Sequence, residues 1–191
     1  KAGAHFGLSK SRRHPSVKPL IFGAKNKVEI FDLEMTKVYL DKAKAFVAGI
    51  AKTNGTILFV GGKNEAKGAV ESAANEIAMP YVAGRWIGGT FTNFPQIRKR
   101  VERFEMLNMQ KEKGELSKYT KKERLLIDRE IANLERFFGG IVSMKEMPKA
   151  IFVIDAKREH IAVTEAHKAH IPVIALCGSD CNIKDVEYPV P

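Results

Sequence analysis

The stretch Tyr81–Arg103, YVAGRWIGGTFTNFPQIRKRVER, decides the fold. It opens on a short apolar strand end, Tyr81–Val82. It then passes through a glycine-rich turn, Arg85-Trp86-Ile87-Gly88-Gly89-Thr90, which carries the only Trp of the chain. Beyond the turn a helix begins with a dense basic cluster, Arg98, Lys99, Arg100 and Arg103. Thr92 or Asn93 is placed to cap that helix, because a short side-chain oxygen accepts from the unpaired N–H groups of a first turn. Pro95 falls in the first turn, where its missing N–H costs little. The stretch therefore joins a buried sheet to a protruding basic helix, and the chain on either side reads as its scaffold.

Upstream, Val28–Leu33 (VEIFDL) reads as a short apolar strand and Glu34–Lys52 as an amphipathic helix with Val38, Ala45, Phe46 and Ile50 on one side. Asn54-Gly55 ends that helix. Thr56–Val60 (TILFV) is continuously apolar, as a strand covered on both faces must be. Asn64–Ala78 is an alanine-rich helix leading through Pro80 to Tyr81. Downstream, Pro148–Asp155 (PKAIFVID) resumes the strands, Arg158–Ala169 is a helix, Val173–Cys177 is a fifth strand and Asp185–Pro191 is extended. This alternation predicts a five-stranded parallel sheet with right-handed crossovers and helices on both faces.

Two segments break the alternation. Phe94, Ile97, Val101 and Phe104 recur at helical spacing, as do Ile127, Ile131, Leu134 and Phe138, and both runs are seams of coiled-coil type. With Gly114 in a polar turn between them, they predict an antiparallel α-helical hairpin, each arm about 25–30 Å long by helix rise. Gly139-Gly140 is expected to close the second helix in the left-handed conformation. The expected organisation is a basic N-terminal arm over 1–27, an α/β domain over 28–92 and 140–191, and an inserted helical hairpin over 93–139. A self-contained seam implies that the α/β domain folds without the hairpin.

With 191 residues and 45% hydrophobic content the chain is long enough to bury a core as one domain with an insertion. Its net charge of +10 is an argument about partners. A basic protein of this kind is expected to meet nucleic acid rather than a membrane surface. No apolar run approaches the roughly 20 residues of a membrane span, and no secretory pattern is visible, so an intracellular location is expected. Lys1 is not Met and Pro191 falls in mid-pattern, so the chain reads as a fragment trimmed at both ends. Cys177 and Cys181 alone do not make a zinc site and are expected to be reduced, small and apolar.

Residues 1–27 hold seven basic residues, Lys1, Lys10, Arg12, Arg13, Lys18, Lys25 and Lys27, and no acidic one. Glycines and prolines break any periodicity there, so a flexible phosphate-binding arm is expected, with His5, Phe6 and Phe22 available for base stacking. In Asn93–Lys113 six basic residues face three acidic ones, and the run at Arg98–Arg100 has one sign.

Two clusters invite an enzymatic reading. The turn Gly61-Gly62-Lys63-Asn64-Glu65 joins a strand to a helix, where backbone N–H groups can cradle phosphate, but it lacks both complete glycine-rich spacings. Asp155, Glu159, His160, Glu165 and His167 gather near a strand end, where α/β enzymes place catalytic groups. A tight β–α turn is the better reading of the first cluster. Helix capping and solvated polar residues are the better reading of the second. The rival to nucleic-acid binding is thus a nucleotide- or flavin-binding enzyme built on these strand ends.

Several stretches carry a resemblance: AGAHFG at Ala2–Gly7, KPLIFG at Lys18–Gly23, GTILFVGGKNEA at Gly55–Ala66, RWIGGTFTNF at Arg85–Phe94, FFGGI at Phe137–Ile141, and the spaced pattern from Pro148 to Pro172. Over nearly its whole length the chain resembles the bacterial small-subunit ribosomal protein S-two family. The resemblance implies a flavodoxin-like three-layer domain with a five-stranded parallel sheet and an inserted hairpin. It implies a structural constituent of the small subunit, not an enzyme, that binds 16S-type rRNA between head and body. It further implies neighbouring ribosomal proteins as partners, including the mRNA-binding ribosomal protein S-one, which it helps to dock. No cofactor, metal, membrane or small-molecule substrate is expected. The location is the bacterial ribosome in the cytoplasm, or a plastid or mitochondrial ribosome. The residues expected to meet rRNA are Lys10, Arg12, Arg13, His14, Lys18, Arg85, Trp86, Asn93, Arg98, Lys99, Arg100 and Arg103.

Overall fold

The computed structural model describes residues 3–191; Lys1 and Ala2, placed above in the basic arm, lie outside the described residues. The first three strands are β1 (Phe6–Ser9), β2 (Ile21–Lys25) and β3 (Val28–Phe31). They form a separate antiparallel sheet in the order β1-β3-β2. This corrects the expectation of a flexible arm followed by a first parallel strand. Only Asn26 and Lys27 separate β2 from β3, and both take positive φ, 52° and 66°. A two-residue loop with that backbone is a hairpin turn, and it forces the flanking strands to run antiparallel.

Helix α1 (Leu33–Lys52) starts at Asp32, whose carboxylate accepts from the N–H groups of Glu34 and Met35. There follow β4 (Ile57–Val60), α2 (Asn64–Glu76) and β5 (Tyr81–Val82), then α3 (Phe94–Glu112) and α4 (Lys121–Phe138), then β6 (Ala150–Ile154), α5 (His160–Lys168), β7 (Val173–Leu176) and β8 (Tyr188–Val190). The second sheet has the order β5-β4-β6-β7-β8, with every pairing parallel. In order of their appearance those five strands stand as 2-1-3-4-5, the flavodoxin-like arrangement. The sheet has the expected five strands, but its fifth is Tyr188–Val190, and Val28–Phe31 is not among them.

Leu58, Val60, Ile151, Val153, Val173 and Ala175 face one side of the sheet, in one core with Ala162, Val163 and Ala166 of α5. Ile57, Ala150, Ile174 and Val190 face the other side, where Ala43, Phe46, Val47 and Ile50 of α1 cover them. The buried stripe of α1 is rotated from the expected one, since Val38 is 47% exposed. Both faces are therefore layered by helices, which explains why the central strands are apolar throughout.

The hairpin forms as expected, with Gly114 in the left-handed conformation between its arms and a reciprocal Thr120–Glu123 capping box opening α4. Ile97, Val101, Phe104 and Leu107 of α3 and Ile131, Leu134 and Phe138 of α4 are buried. That seam is not self-contained. It runs without a break into Val82, Trp86, Phe91, Ile141 and Met144 and on to Leu58 and Val60 of the sheet. The closing glycines also act differently from expectation. Gly139 is right-handed, at φ −53°. Gly140 is needed because its backbone presses on Tyr81, and a Cβ there would lie 2.8 Å from the ring carbon Cδ2.

Candidate nucleic-acid interface

The turn from Arg85 to Thr92 owes its shape to Glu165, a 7% exposed carboxylate on α5. Its Oε1 accepts from the Gly89 N–H at 2.7 Å and the Trp86 indole Nε1–H at 3.4 Å. Its Oε2 accepts from the N–H groups of Phe91 at 3.0 Å and Thr92 at 3.4 Å. A buried carboxylate persists only when such donors replace its water. Gly89, at φ 94°, lets the chain turn around it. Glu165 is thus a buried anchor and not a solvated residue, which corrects the expectation for its cluster. The sequence offers only a weak signal for it, a lone acid on the apolar side of a helix.

This anchor decides which residues of the turn face solvent. Trp86 is 5% exposed and stacks edge-on against Phe91, with ring centroids 5.1 Å apart. It is a core residue and has no face left for a base. Arg85, next to it, is exposed and has no ion-pair partner among the described residues. Asn93 occupies the N-cap position of α3 but makes no side-chain capping bond, so its exposed amide is free.

The basic cluster of α3 divides by helical phase. Arg98 turns inward and donates to the carbonyls of Val142 at 3.4 Å and Met144 at 3.3 Å. Arg103 crosses to α4 and grips Glu130 through two bonds, 3.1 and 3.4 Å long. Both therefore fasten the hairpin. Lys99 and Arg100 remain exposed without an acid partner among the described residues.

The N-terminal segment is tied down over the carboxyl ends of the parallel strands. Leu8 N–H donates to Ser179 Oγ at 2.8 Å, His14 N–H donates to the Ser179 carbonyl at 2.9 Å, and Ile183 N–H donates to Ser16 Oγ at 3.2 Å. Arg13 pairs with the 2% exposed Glu29 at 2.7 Å, so it has the acidic partner that residues 1–27 themselves lack. His14 Nδ1 accepts from the backbone N–H of Ser16, capping a short 3-10 turn. Lys10, Arg12 and Lys18 are exposed and unpaired among the described residues. Of the twelve expected contact residues, Arg13, His14, Trp86, Arg98 and Arg103 are engaged by other groups of the protein, Arg103 in an exposed ion pair. Lys10, Arg12, Lys18, Arg85, Asn93, Lys99 and Arg100 have no side-chain partner among the described residues.

The strand ends that suggested a nucleotide site are already occupied. Glu159 Oε1 accepts from Gly62 N–H at 3.2 Å, and a Cβ on Gly62 would meet that oxygen at 2.6 Å. A carboxylate thus stands where the turn would hold a phosphate, and burial pushes the Glu159 carboxyl above its ordinary value. Lys63 is paired with Asp155, which raises the Lys63 pKa. Burial pushes the Asp155 carboxyl up, but the bonds from Lys63 and the Arg158 N–H outweigh it and hold the carboxyl below its usual range. The two cysteines are free thiols in the core. Contact with the Cys181 sulfur, together with burial, raises the Cys177 thiol above its ordinary range.

No described helix is long and apolar enough to cross a membrane. The family model described as Ribosomal protein S2 matches residues 1–191. The chain is 47% identical over 191 residues to the small ribosomal subunit protein uS2 of Spiroplasma citri, covering all of this chain and 53% of that protein. It is 44% identical to uS2 of Nocardia farcinica over 190 residues, covering 67% of that protein, and 42% identical to uS2 of Nitratiruptor over 191 residues, covering 72%. The chain thus spans about half to three quarters of the length of these relatives. A family match over residues 1–191, a flavodoxin-like sheet and cations left unpaired among the described residues beside an anchored glycine turn agree: the chain belongs to the Ribosomal protein S2 family.

Proposed function

We propose that the chain is a structural constituent of the small ribosomal subunit that binds 16S-type rRNA between head and body, and that it is not an enzyme. The observation that carries this reading is a set of six exposed cations, unpaired among the described residues, on two supports tied into the fold. Lys10, Arg12 and Lys18 stand on the fastened N-terminal segment, and Arg85, Lys99 and Arg100 stand at the base of the hairpin. Phosphate contacts of this kind give affinity and register without base information. Binding of small-subunit rRNA fragments across a salt series tests it. The Lys99→Ala/Arg100→Ala protein should bind all fragments about equally more weakly, and the salt slope of log K should fall by roughly 0.7–0.9 per lost contact. An unchanged slope would make the two side chains a solvated face. The location that follows is a bacterial ribosome in the cytoplasm, with a plastid or mitochondrial ribosome as the alternative.

Docking of ribosomal protein S-one belongs to the same reading. Phe22 is 80% exposed, Leu33 57% and Phe6 56%, a concentration of apolar surface on the antiparallel sheet and the start of α1. Phe22 and Leu33 line a groove of about 360 Å³ that also carries Asp32 and Glu34. Two carboxylates disfavour an RNA backbone there and suit a protein neighbour. Phe22→Asp/Leu33→Asp should weaken S-one binding about tenfold or more, as loss of an apolar anchor does, and leave rRNA binding intact. Undiminished S-one binding would refute the assignment of this surface.

A further inference from the structure

A cleft of about 400 Å³ opens between β5, α2, the turn at Arg85 and the end of α4. This is within the range of small-ligand sites, about 300–1,000 Å³, and too small to admit a double helix. Tyr81 and Phe137 supply aromatic walls, and Lys67, Arg85 and Arg136 supply cations. The Arg136 guanidinium lies over the Phe137 ring, 5.4 Å from its centroid, so the two form a cation–π pair on one side of the cleft. Lys67 is balanced by Glu71 at 3.9 Å, and Glu135 also lines the cleft. Arg85 and Arg136 have no carboxylate partner among the described residues.

Two parts of the wall are held by packing. Arg85 precedes Trp86, which Glu165 and Phe91 hold in the core. Gly140 lies so close against Tyr81 that no side chain fits between them. A preformed cleft with a stacking plane and a free guanidinium beside it matches what unpaired RNA presents. A splayed base offers a flat face to an aromatic ring or an arginine plane, and its phosphate offers charge.

We propose that this cleft receives a single unpaired nucleotide of the bound RNA, its base lying on the Arg136–Phe137 pair and its phosphate on Arg85. The inference rests on the rRNA-binding reading above and adds to it a site that takes one base out of the helical stack. Glu71 and Glu135 exclude a second phosphate, which limits the cleft to one nucleotide.

The test uses the purified chain with a 16S-type rRNA transcript carrying 4-thiouridine, irradiated and digested, with adducts assigned by mass spectrometry. Adducts on the peptides containing Tyr81 or Phe137 are expected. In equilibrium binding, Arg136→Lys keeps the charge but loses the planar guanidinium. It should therefore weaken binding roughly five- to a hundredfold, the range for loss of one stacked base, with an unchanged salt slope. Arg85→Ala should instead lower the slope by about 0.7, the value for a single-stranded phosphate. Cooperative unfolding of both variants, read by Trp86 fluorescence, shows that the fold is kept. Tight transcript binding without adducts in these peptides and without an Arg136→Lys effect would overturn the cleft and leave the rRNA reading standing. A chain that does not bind the transcript would overturn both.

Discussion

Glu165→Leu is expected to destabilise the protein by about 3–5 kcal/mol, the scale for leaving several buried donors without an acceptor. Leucine fills much of the same volume, so the loss is not a cavity effect. It comes from the N–H groups of Gly89, Phe91 and Thr92 and the indole of Trp86, all of which donate to this one carboxylate. For a chain of this size each kcal/mol moves the melting temperature by about 2–4 °C, so a fall on the order of 6–20 °C is expected. Glu165→Gln retains one acceptor oxygen but turns an NH2 group towards N–H donors, and should cost an intermediate amount. Trp86 is the only tryptophan and reports on the site directly. Its emission should shift to the red at lower denaturant than global unfolding in the Leu variant. A Leu variant within about 1 kcal/mol of the parent would show that water replaces the carboxylate without penalty.

The second large effect concerns the hairpin. Replacing Phe94–Phe138 by a short Gly/Ser linker is expected to abolish cooperative thermal unfolding. The self-contained seam read in the sequence implies the opposite outcome. The structure changes the expectation because Ile97, Val101, Phe104 and Phe138 belong to the same continuous core as Val82, Trp86 and the inner face of the sheet. Removing one large buried side chain typically costs about 2–5 kcal/mol, and the excision removes these four together with Leu107, Ile131 and Leu134 of the same core. The first four alone would cost about 8–20 kcal/mol, which matches or exceeds the stability of an ordinary domain, roughly 5–15 kcal/mol. Shortening only the tip, with 109–124 replaced by a tight turn, leaves this base intact. It should preserve a cooperative transition within a few degrees of the parent. A sharp transition in the fully excised protein would show that the α/β layers stand alone and that the hairpin only leans on them.

The sequence by itself determined the kind of elements and most of their extents. Continuous apolar runs at 57–60 and 150–154 could only be strands covered on both sides, and the seams of α3 and α4 dictated a hairpin. These signals are local, because period and run length follow from what each segment must bury. The basic balance likewise points to a nucleic-acid partner from composition alone. Tertiary structure decided which sheet each short strand joined and which charges stayed free. Val28–Phe31 and Tyr188–Val190 are both brief, and nothing within either segment distinguishes a parallel neighbour from an antiparallel one; the backbone of Asn26-Lys27 settles the first. Arg98 and Lys99 are adjacent and both basic, yet the first is turned about 100° into two carbonyls and the second faces water. Trp86 could as well have been a stacking platform until Glu165, 79 residues away, claimed its N–H. Hydrogen bonds between distant segments leave no periodic trace, because their partners meet only after the layers have packed.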